Sequence, residues 1–442
     1  MRYKNILKIM QGMAFKSSEY VDSSSVINIR MGNIKKGGSI DLNHNTKYLP
    51  ENYKSIYRDY ELRKGDTIIA MTDMSPTLDF LAVPAILDFL DANSTYLLNQ
   101  RVGKLILNRD YEIRFVRYLL LSENLRIQLK AKGLGTVQAN MSNDDLYSSY
   151  LFCPPSVERL NIANFLDHET AKIDHLIEKQ QQLIELLKEK RQAVISHAVT
   201  KGLDPNVPMK DSGVEWLGEV PEHWSVAKIK HLSKIISKGT TPTTIGGDFV
   251  FEGIRFLKAE NIGKKPIVNS SPEFFITENV DAQLARSRLQ EHDVLVIIAG
   301  ATTGLSSVLQ KELLPANTNQ AVSFIRPKET EYAKWISYWL STHFAQSLIW
   351  MGAVQAAQPN LSMESLGNID ITLPSVEEIK TTLDFIDTVL LKIDDLIEKN
   401  IKAIDFMQER RTALISAAVT GKIDVRHWQA PTVAEADTEL SA

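Results

Sequence analysis

Of 442 residues only one, Cys153, is a cysteine, so no disulfide can form within the chain. No cluster of histidine and cysteine has metal-ligand spacing. No apolar run approaches the roughly 18 residues of a membrane helix. The first residues lack the apolar core followed by small residues that marks a secretory signal. A reducing, cytoplasmic setting with no membrane partner is therefore expected. Strong charge of one sign is missing too: 50 Lys and Arg stand against 54 Asp and Glu, a net charge of −4. Residues 1–157 hold twenty basic against sixteen acidic side chains, and residues 204–375 hold fifteen against eighteen. Any contact with nucleic acid must then use local patches. There is no GxxxxGK[ST] loop, and Gly37-Gly38 and Gly246-Gly247 lack phosphate-binding context. Cys153-Pro154-Pro155-Ser156 lacks the leading Asn or Asp and the closing aromatic residue of an adenine-methylating motif and reads as a turn before a helix. Without a cofactor loop or nucleophile constellation, the chain reads as a binding subunit rather than a catalyst.

What is present is an internal repeat. Residues 165–200, FLDHETAKIDHLIEKQQQLIELLKEKRQAVISHAVT, return 220 positions later as FIDTVLLKIDDLIEKNIKAIDFMQERRTALISAAVT at 385–420. The segment before each copy also repeats weakly. Leu98-Asn99-Gln100-Arg101-Val102 echoes Thr318-Asn319-Gln320-Ala321-Val322, and Gln138-Ala139-Asn140-Met141-Ser142 echoes Gln358-Pro359-Asn360-Leu361-Ser362. A long-period repeat organises everything else. With 44% hydrophobic residues and 24% charge the chain is long enough for two domains with their own cores. The close match of the helices and the divergence of the globular parts describe one scaffold carrying two different surfaces.

Within each globular half the apolar runs are short and β-branched, as in Thr67-Ile68-Ile69 and Val294-Leu295-Val296-Ile297-Ile298, and are separated by Gly, Pro, Asn and Ser. A helical stretch follows in each, Ile113 to Leu121 and Tyr332 to Leu340, so the fold class is α+β. The expected division is a globular domain at 1–155, a long helix at 156–202, a second domain with its linker at 203–374, a second helix at 375–423 and a frayed tail at 424–442. Ser156 and Ser375 are plausible N-caps of the long helices. Ile173, Leu176, Leu183 and Leu187, with Ile393, Leu396 and Met407 in the second copy, have the 3/4 spacing of a coiled-coil seam. Gln180 and Asn400 hold equivalent seam positions, where a buried amide fixes register. The two helices are expected to pair with each other as an antiparallel, pseudo-two-fold coiled coil; packing on their own domains, or a homo-oligomeric coiled coil, are the alternatives. A helix of about 43 residues is about 65 Å long.

The segment KGLDPNVPMKDSGVEWLGEVPEHW, ending at Trp224, together with the duplicated AKIDHLIEK and LKIDDLIEK and the run LKEKRQAVISHAVTKG, resembles the specificity subunit of type I restriction-modification systems along essentially the whole chain. In that family each variable half is a target-recognition domain that reads one part of a split, asymmetric double-stranded DNA site. The resemblance implies that the helices form a spacer and dock two modification subunits. Those carry S-adenosylmethionine and methylate adenine, while separate restriction subunits use ATP and magnesium; no cofactor falls to this chain. The family lead that precedes Trp224 has no counterpart before the first half, which starts near the equivalent of residue 228.

Comparing the halves then gives candidate DNA contacts. Lys35-Lys36 and Lys264-Lys265 follow a strand in each half, where they either neutralise phosphates or are solvated turn lysines. Gln138 and Gln358 precede the last strand, and a glutamine amide can bridge the N6 and N7 of adenine; capping a loop is the alternative. Lys238, Thr240 and Thr241, and Thr302 and Thr303, lie in small-polar loops that would let backbone approach DNA. Asn99-Gln100 and Asn319-Gln320 read as structural turns, and Trp335 and Trp339 as core. The other class of function open to such a chain is a coiled-coil scaffold that joins proteins without reading DNA.

Overall fold

A computed structural model describes residues 1–35, 37–43, 45–75, 77–88, 91, 93–132, 138–353 and 360–430. No described helix is long and apolar enough to cross a membrane. The chain forms two compact units, Met1–Gln181 with Ile401–Ala442, and Gln182–Asn400. Each unit takes one globular domain plus part of both long helices, because a helix this long buries its apolar stripe against whichever domain it passes.

In the first unit the strands of the two four-stranded sheets are β1 (Leu7–Gln11), β2 (Val26–Ile29), β3 (Lys47–Leu49), β4 (Glu61–Leu62), β5 (Thr67–Ala70), β6 (Pro84–Ile86), β7 (Thr95–Leu98) and β8 (Val102–Leu107). One sheet is antiparallel, in the order β1-β8-β5-β6; the other runs β3-β2-β7-β4 with β2 and β7 parallel. Every residue of β5 is buried, as a central strand covered on both faces requires. Helices α1 (Ile113–Leu121) and α2 (Glu123–Ala131) follow, and Phe115, Val116 and Leu119 of α1 join Ile6, Leu7 and Ile69 in one core. The first long helix, α3, spans Ser156–Lys201.

The second unit repeats this plan. Strand β9 (Ser225–Lys228) leads into β10 (Ser233–Lys238), β11 (Phe249–Val250), β12 (Ile254–Leu257), β13 (Phe275–Ile276), β14 (Val294–Ile297), β15 (Ser306–Val308), β16 (Ala316–Thr318) and β17 (Val322–Pro327). The antiparallel sheet runs β10-β17-β14-β15 and the mixed sheet β11-β13-β12-β16, with β12 and β16 parallel. Helices α4 (Glu331–Leu340) and α5 (His343–Ala353), strand β18 (Asp370–Leu373) paired with β9, and the second long helix α6 (Val376–Val419) as far as Asn400 follow. Trp335 and Trp339 are fully buried, and their indole N–H groups donate to the carbonyls of Thr372 and Asp370. They are core, as buried tryptophans with a satisfied N–H should be.

Within each unit segments of the two long helices run antiparallel. In the first, Arg411 holds Asp174 with two bonds of 2.8 and 3.2 Å; in the second, Arg191 reaches Asp394 at 3.3 Å, the same pair 220 residues apart with the roles exchanged between helices. The seam differs by one residue from the expected one. Ile173, Ile184, Leu187, Leu390 and Ile393 are buried and Ile177, Ile397 and Met407 half-buried, whereas Leu176, Leu183 and Leu396 are 50%, 42% and 45% exposed. The apolar line runs 173-177-180-184-187, a heptad pattern through the isoleucine of each Leu-Ile pair. Gln180 is half-buried with no hydrogen-bond partner for Oε1, and Asn400 Nδ2 donates to Leu396 O of its own helix at 2.7 Å; the register-fixing role expected of these amides is not expressed in those bonds. The expected frayed tail is packed at its start: Val425 is 2% exposed, Trp428 meets the Phe165 ring edge-on at 5.6 Å, and Asn161 Nδ2 donates to Arg426 O.

A second device ties each globular body to its helix. Tyr118 Oη donates to Asp167 Oδ1 at 2.6 Å while Arg114 donates to Oδ2 at 2.9 Å; Tyr338 donates to Asp387 Oδ1 at 2.6 Å while Lys334 donates to Oδ2 at 2.7 Å. Burial, reinforced by the neighbouring carboxylate, pushes Tyr118 up to about 12 and raises Tyr338 as well.

Candidate nucleic-acid interface

Four separate segments meet at one end of the antiparallel sheet in each unit. In the first, β1 ends at Gln11, and Gly12 and Met13 lie against the turn between β7 and β8: Met13 N donates to Leu98 O, and Gln100 N to Met13 O, at 2.8 and 2.9 Å. Met71, just past β5, donates to Arg101 O and accepts from Met141 N. Thr72 Oγ1 then donates to Asn140 Oδ1 at 3.0 Å, and Gln11 Nε2 to Asn143 Oδ1 at 3.4 Å. In the second unit Thr240 N donates to Thr318 O, Ile298 N to Ala321 O and Leu361 N to Ile298 O. Three of the four backbone bonds recur, so strand pairing positions the site alike in both copies.

The side chains carried there differ. The first face presents Gln11, Gln100 and Asn140, all exposed, the half-buried Asn143, and the exposed Arg101. The second presents the half-buried Lys238, Thr240 and Thr241, the exposed Thr302, and Asn360; Thr241 Oγ1 donates to Gln320 Oε1. Amide groups offer paired donor and acceptor to a base edge, and lysine or arginine offers charge to a phosphate or to guanine.

Several expectations from sequence are revised. The loop of Lys238 to Thr241 lies close against the protein's own backbone: a Cβ at Gly239 would lie 1.8 Å from Thr318 O, and one at Gly12 2.3 Å from the carbonyls of Leu98 and Asn99. The smallness serves the protein's own strand crossing. Thr303 is 2% exposed and its hydroxyl closes a turn onto Gly300 O at 2.8 Å, so it presents nothing outward. Lys35 is paired with Asp41 at 3.3 Å. Lys264 and Lys265 are exposed beside β15, where Ser307 Oγ donates to Lys265 O. Lys238 ends β10 at the opposite edge, so about three strand spacings, roughly 14 Å, separate the two groups. Gln138 is half-buried, one residue before the bridge of Ala139 to Asp73. Lys36 and Gln358 lie outside the described residues. Asn99 and Asn319 are turn formers, as expected, each accepting the N–H two residues on.

Gln11, Arg101, Asn140, Asn143 and Asn360 were not singled out from sequence. The repeats around Asn140 and Asn360 were visible, but Gln11 meets Asn143 across 132 residues, which no local pattern announces.

Buried charge holds the scaffold behind the face. Asp293, fully buried, takes Arg326 on both oxygens at 2.9 and 2.8 Å, and Asp66 takes Lys104 at 2.6 Å at the same place in the first unit. Burial raises the Asp293 carboxyl, with Arg326 opposing. In the first unit Asp73, 1% exposed, accepts from the N–H groups of Ser75, Phe80 and Leu81 and fixes the loop leaving the face.

Residues 221–405 match the family model described as type I restriction modification DNA specificity domain. The type I restriction enzyme EcoBI specificity subunit of Escherichia coli is 26% identical over 438 residues, covering 96% of this chain and 86% of that one. The MjaVIII specificity subunit of Methanocaldococcus jannaschii is 25% identical over 315 residues, with 70% and 71% covered. Among solved structures, a chain from work on complex assembly and conformational transition of the type I R-M system superposes with a TM-score of 0.65 at 16% identity, covering 94% and 97% of the two chains, which shows the shared fold.

Proposed function

We propose that this chain, a member of the specificity-subunit family of type I restriction-modification systems, binds double-stranded DNA at a bipartite, asymmetric site, one half-site for each globular domain. The observation that carries this reading is the pair of strand-end faces with one backbone and two sets of side chains. Identical scaffolding with different amides, hydroxyls and cations suits the reading of two different base sequences. The near-neutral net charge fits a chain whose affinity comes from local contacts and from the assembled complex.

In this reading the chain contributes no chemistry. It positions two modification subunits, which hold S-adenosylmethionine and methylate adenine, and restriction subunits, which use ATP and magnesium. Adenine methylation requires the base to leave the stack, so the specificity subunit must hold the duplex while a partner takes the flipped base. A cytoplasmic setting accords with such an assembly.

The test is single-molecule methylome sequencing of a plasmid from cells expressing the chain with its cognate modification subunit. Adenine methylation at one gapped, asymmetric motif is expected, with Gln11→Ala or Asn140→Ala relaxing one half-site and Lys238→Ala weakening methylation without altering the motif of the other half. A stable complex that methylates nothing, or variants in one domain that change both half-sites, would overturn the reading.

A further inference from the structure

We propose, building on the DNA-binding reading above, that Arg30 and Lys258 are the matched phosphate contacts of the two domains, holding the duplex backbone while the strand-end faces read bases. Both cations stand at one place in the shared plan. In the first unit β2 pairs in parallel with β7, Ile29 opposite Leu98, and Asn99 N donates to Ile29 O at 3.1 Å; Arg30 follows directly. In the second, β12 pairs in parallel with β16, Leu257 opposite Thr318, and Thr318 Oγ1 donates to Leu257 O at 2.9 Å; Lys258 follows directly. Leu98 and Thr318 are the residues whose carbonyls accept from Met13 and Thr240, so each cation leaves its strand beside the face of its own unit.

A buried asparagine fixes each of them. Arg30 N donates to Asn33 Oδ1 and Lys258 N to Asn261 Oδ1, both at 3.0 Å. Asn33 and Asn261 are 2% and 0% exposed, and their Nδ2 groups donate onward to Asp41 O and Asn269 O at 3.0 and 3.1 Å. The two side chains then lie over aromatic rings. Lys258 Nζ is 3.5 Å from the centre of the Phe274 ring and 4.1 Å from that of Phe249. The Arg30 guanidinium is 6.0 Å from the centre of the Tyr20 ring, whose hydroxyl accepts from Asn28 Nδ2 at 2.9 Å. A ring face attracts a cation and orients it without using its hydrogen-bond donors. Among the described residues neither cation meets a carboxylate: Lys258 Nζ donates no hydrogen bond, and Arg30 donates only from Nη2, to Asn45 O at 2.6 Å. Each unit thus holds an oriented charge with donors to spare, which suits the anionic oxygens of a phosphodiester.

Recurrence distinguishes a phosphate from a base as the target. The side chains on the two faces differ, as two base sequences require, whereas a positive charge at one backbone position in both domains suits the part of DNA that is the same at every site.

The experiment measures the affinity of the full chain, in complex with its modification subunit, for a duplex carrying the methylated motif, at salt from roughly 50 to 200 mM. Each phosphate contact contributes about −0.9 to the slope of log K against log salt, so Arg30→Gln and Lys258→Gln should each flatten the slope by about 0.9 and lose about threefold less affinity over that range than the unaltered chain. The double variant should flatten it by about 1.8. Arg30→Lys and Lys258→Arg, which keep the charge, should hold the slope, and methylome sequencing should return the same motif for every variant, with folding checked by circular dichroism. A slope that neither Gln variant alters in a complex that binds DNA overturns the proposal, and so does a Gln variant that changes the bases of its half-site, since that residue then reads a base. Weaker assembly with the modification subunit at an unaltered slope also overturns it and sets the cation against protein. A complex that binds no duplex at all overturns the DNA-binding reading, and this proposal with it.

Discussion

Substituting Asp387 by alanine isolates the latch between the second globular body and its long helix. The carboxylate accepts Tyr338 Oη at 2.6 Å and Lys334 Nζ at 2.7 Å. Tyr338 is 3% exposed, so its hydroxyl loses a partner it cannot replace from solvent, at a cost of about 1–3 kcal/mol. Lys334 is 43% exposed, and its pairing adds only about 0.2–1 kcal/mol after solvent screening. Asp387→Ala should therefore cost about 2–3 kcal/mol. Tyr338→Phe removes donor and demand together and should cost about 1 kcal/mol, the net worth of one hydrogen bond. Lys334→Ala should cost less still. Urea unfolding followed by tryptophan fluorescence reads this unit selectively, because Trp216, Trp224, Trp335, Trp339 and Trp350 of the six tryptophans lie within it. The reasoning fails if Asp387→Ala costs no more than Lys334→Ala, for then the buried hydroxyl has found another partner.

A buried carboxyl gives a pH prediction. Burial raises Asp293 despite Arg326, so its contribution is full below the unfolded carboxyl value and is lost as pH rises through the folded one. The stability of the chain relative to an Asp293→Asn variant should accordingly fall as pH rises through that window, as urea midpoints across pH will show. Gly239→Ala, with its Cβ 1.8 Å from Thr318 O, should destabilise by about 1–3 kcal/mol through forced displacement, whereas Gly32→Ala, with nothing within 4 Å, should be near neutral; thermal unfolding compares them. Arg411 meets Asp174 with two bonds and Arg191 meets Asp394 with one, so a double-mutant cycle should return the larger coupling for the first pair, with both within about 1 kcal/mol and both shrinking in salt.

The sequence alone determined the tandem architecture, the α+β class, the two long helices and the resemblance that led to the family. Those are matters of repetition and local periodicity, and both can be read along a line. It left the helix seam ambiguous because Leu176-Ile177, Leu183-Ile184 and Leu396-Ile397 are apolar pairs, and two stripes one residue apart satisfy the same spacing equally well. Only packing decides between them: the isoleucines turn inward and the leucines stay exposed. The candidate face was partly legible, through Lys238, Thr240 and the repeated segments near Asn140 and Asn360. Its make-up was not, since Gln11, Arg101 and Asn143 are brought together by strands that pair across roughly ninety to a hundred residues and by a contact across 132. Thr303 was misread for the complementary reason, and the loop of Lys238 to Thr241 shows the same packing. A small residue in a polar loop marks a close approach, but the sequence does not say of what, and here it is the protein's own backbone.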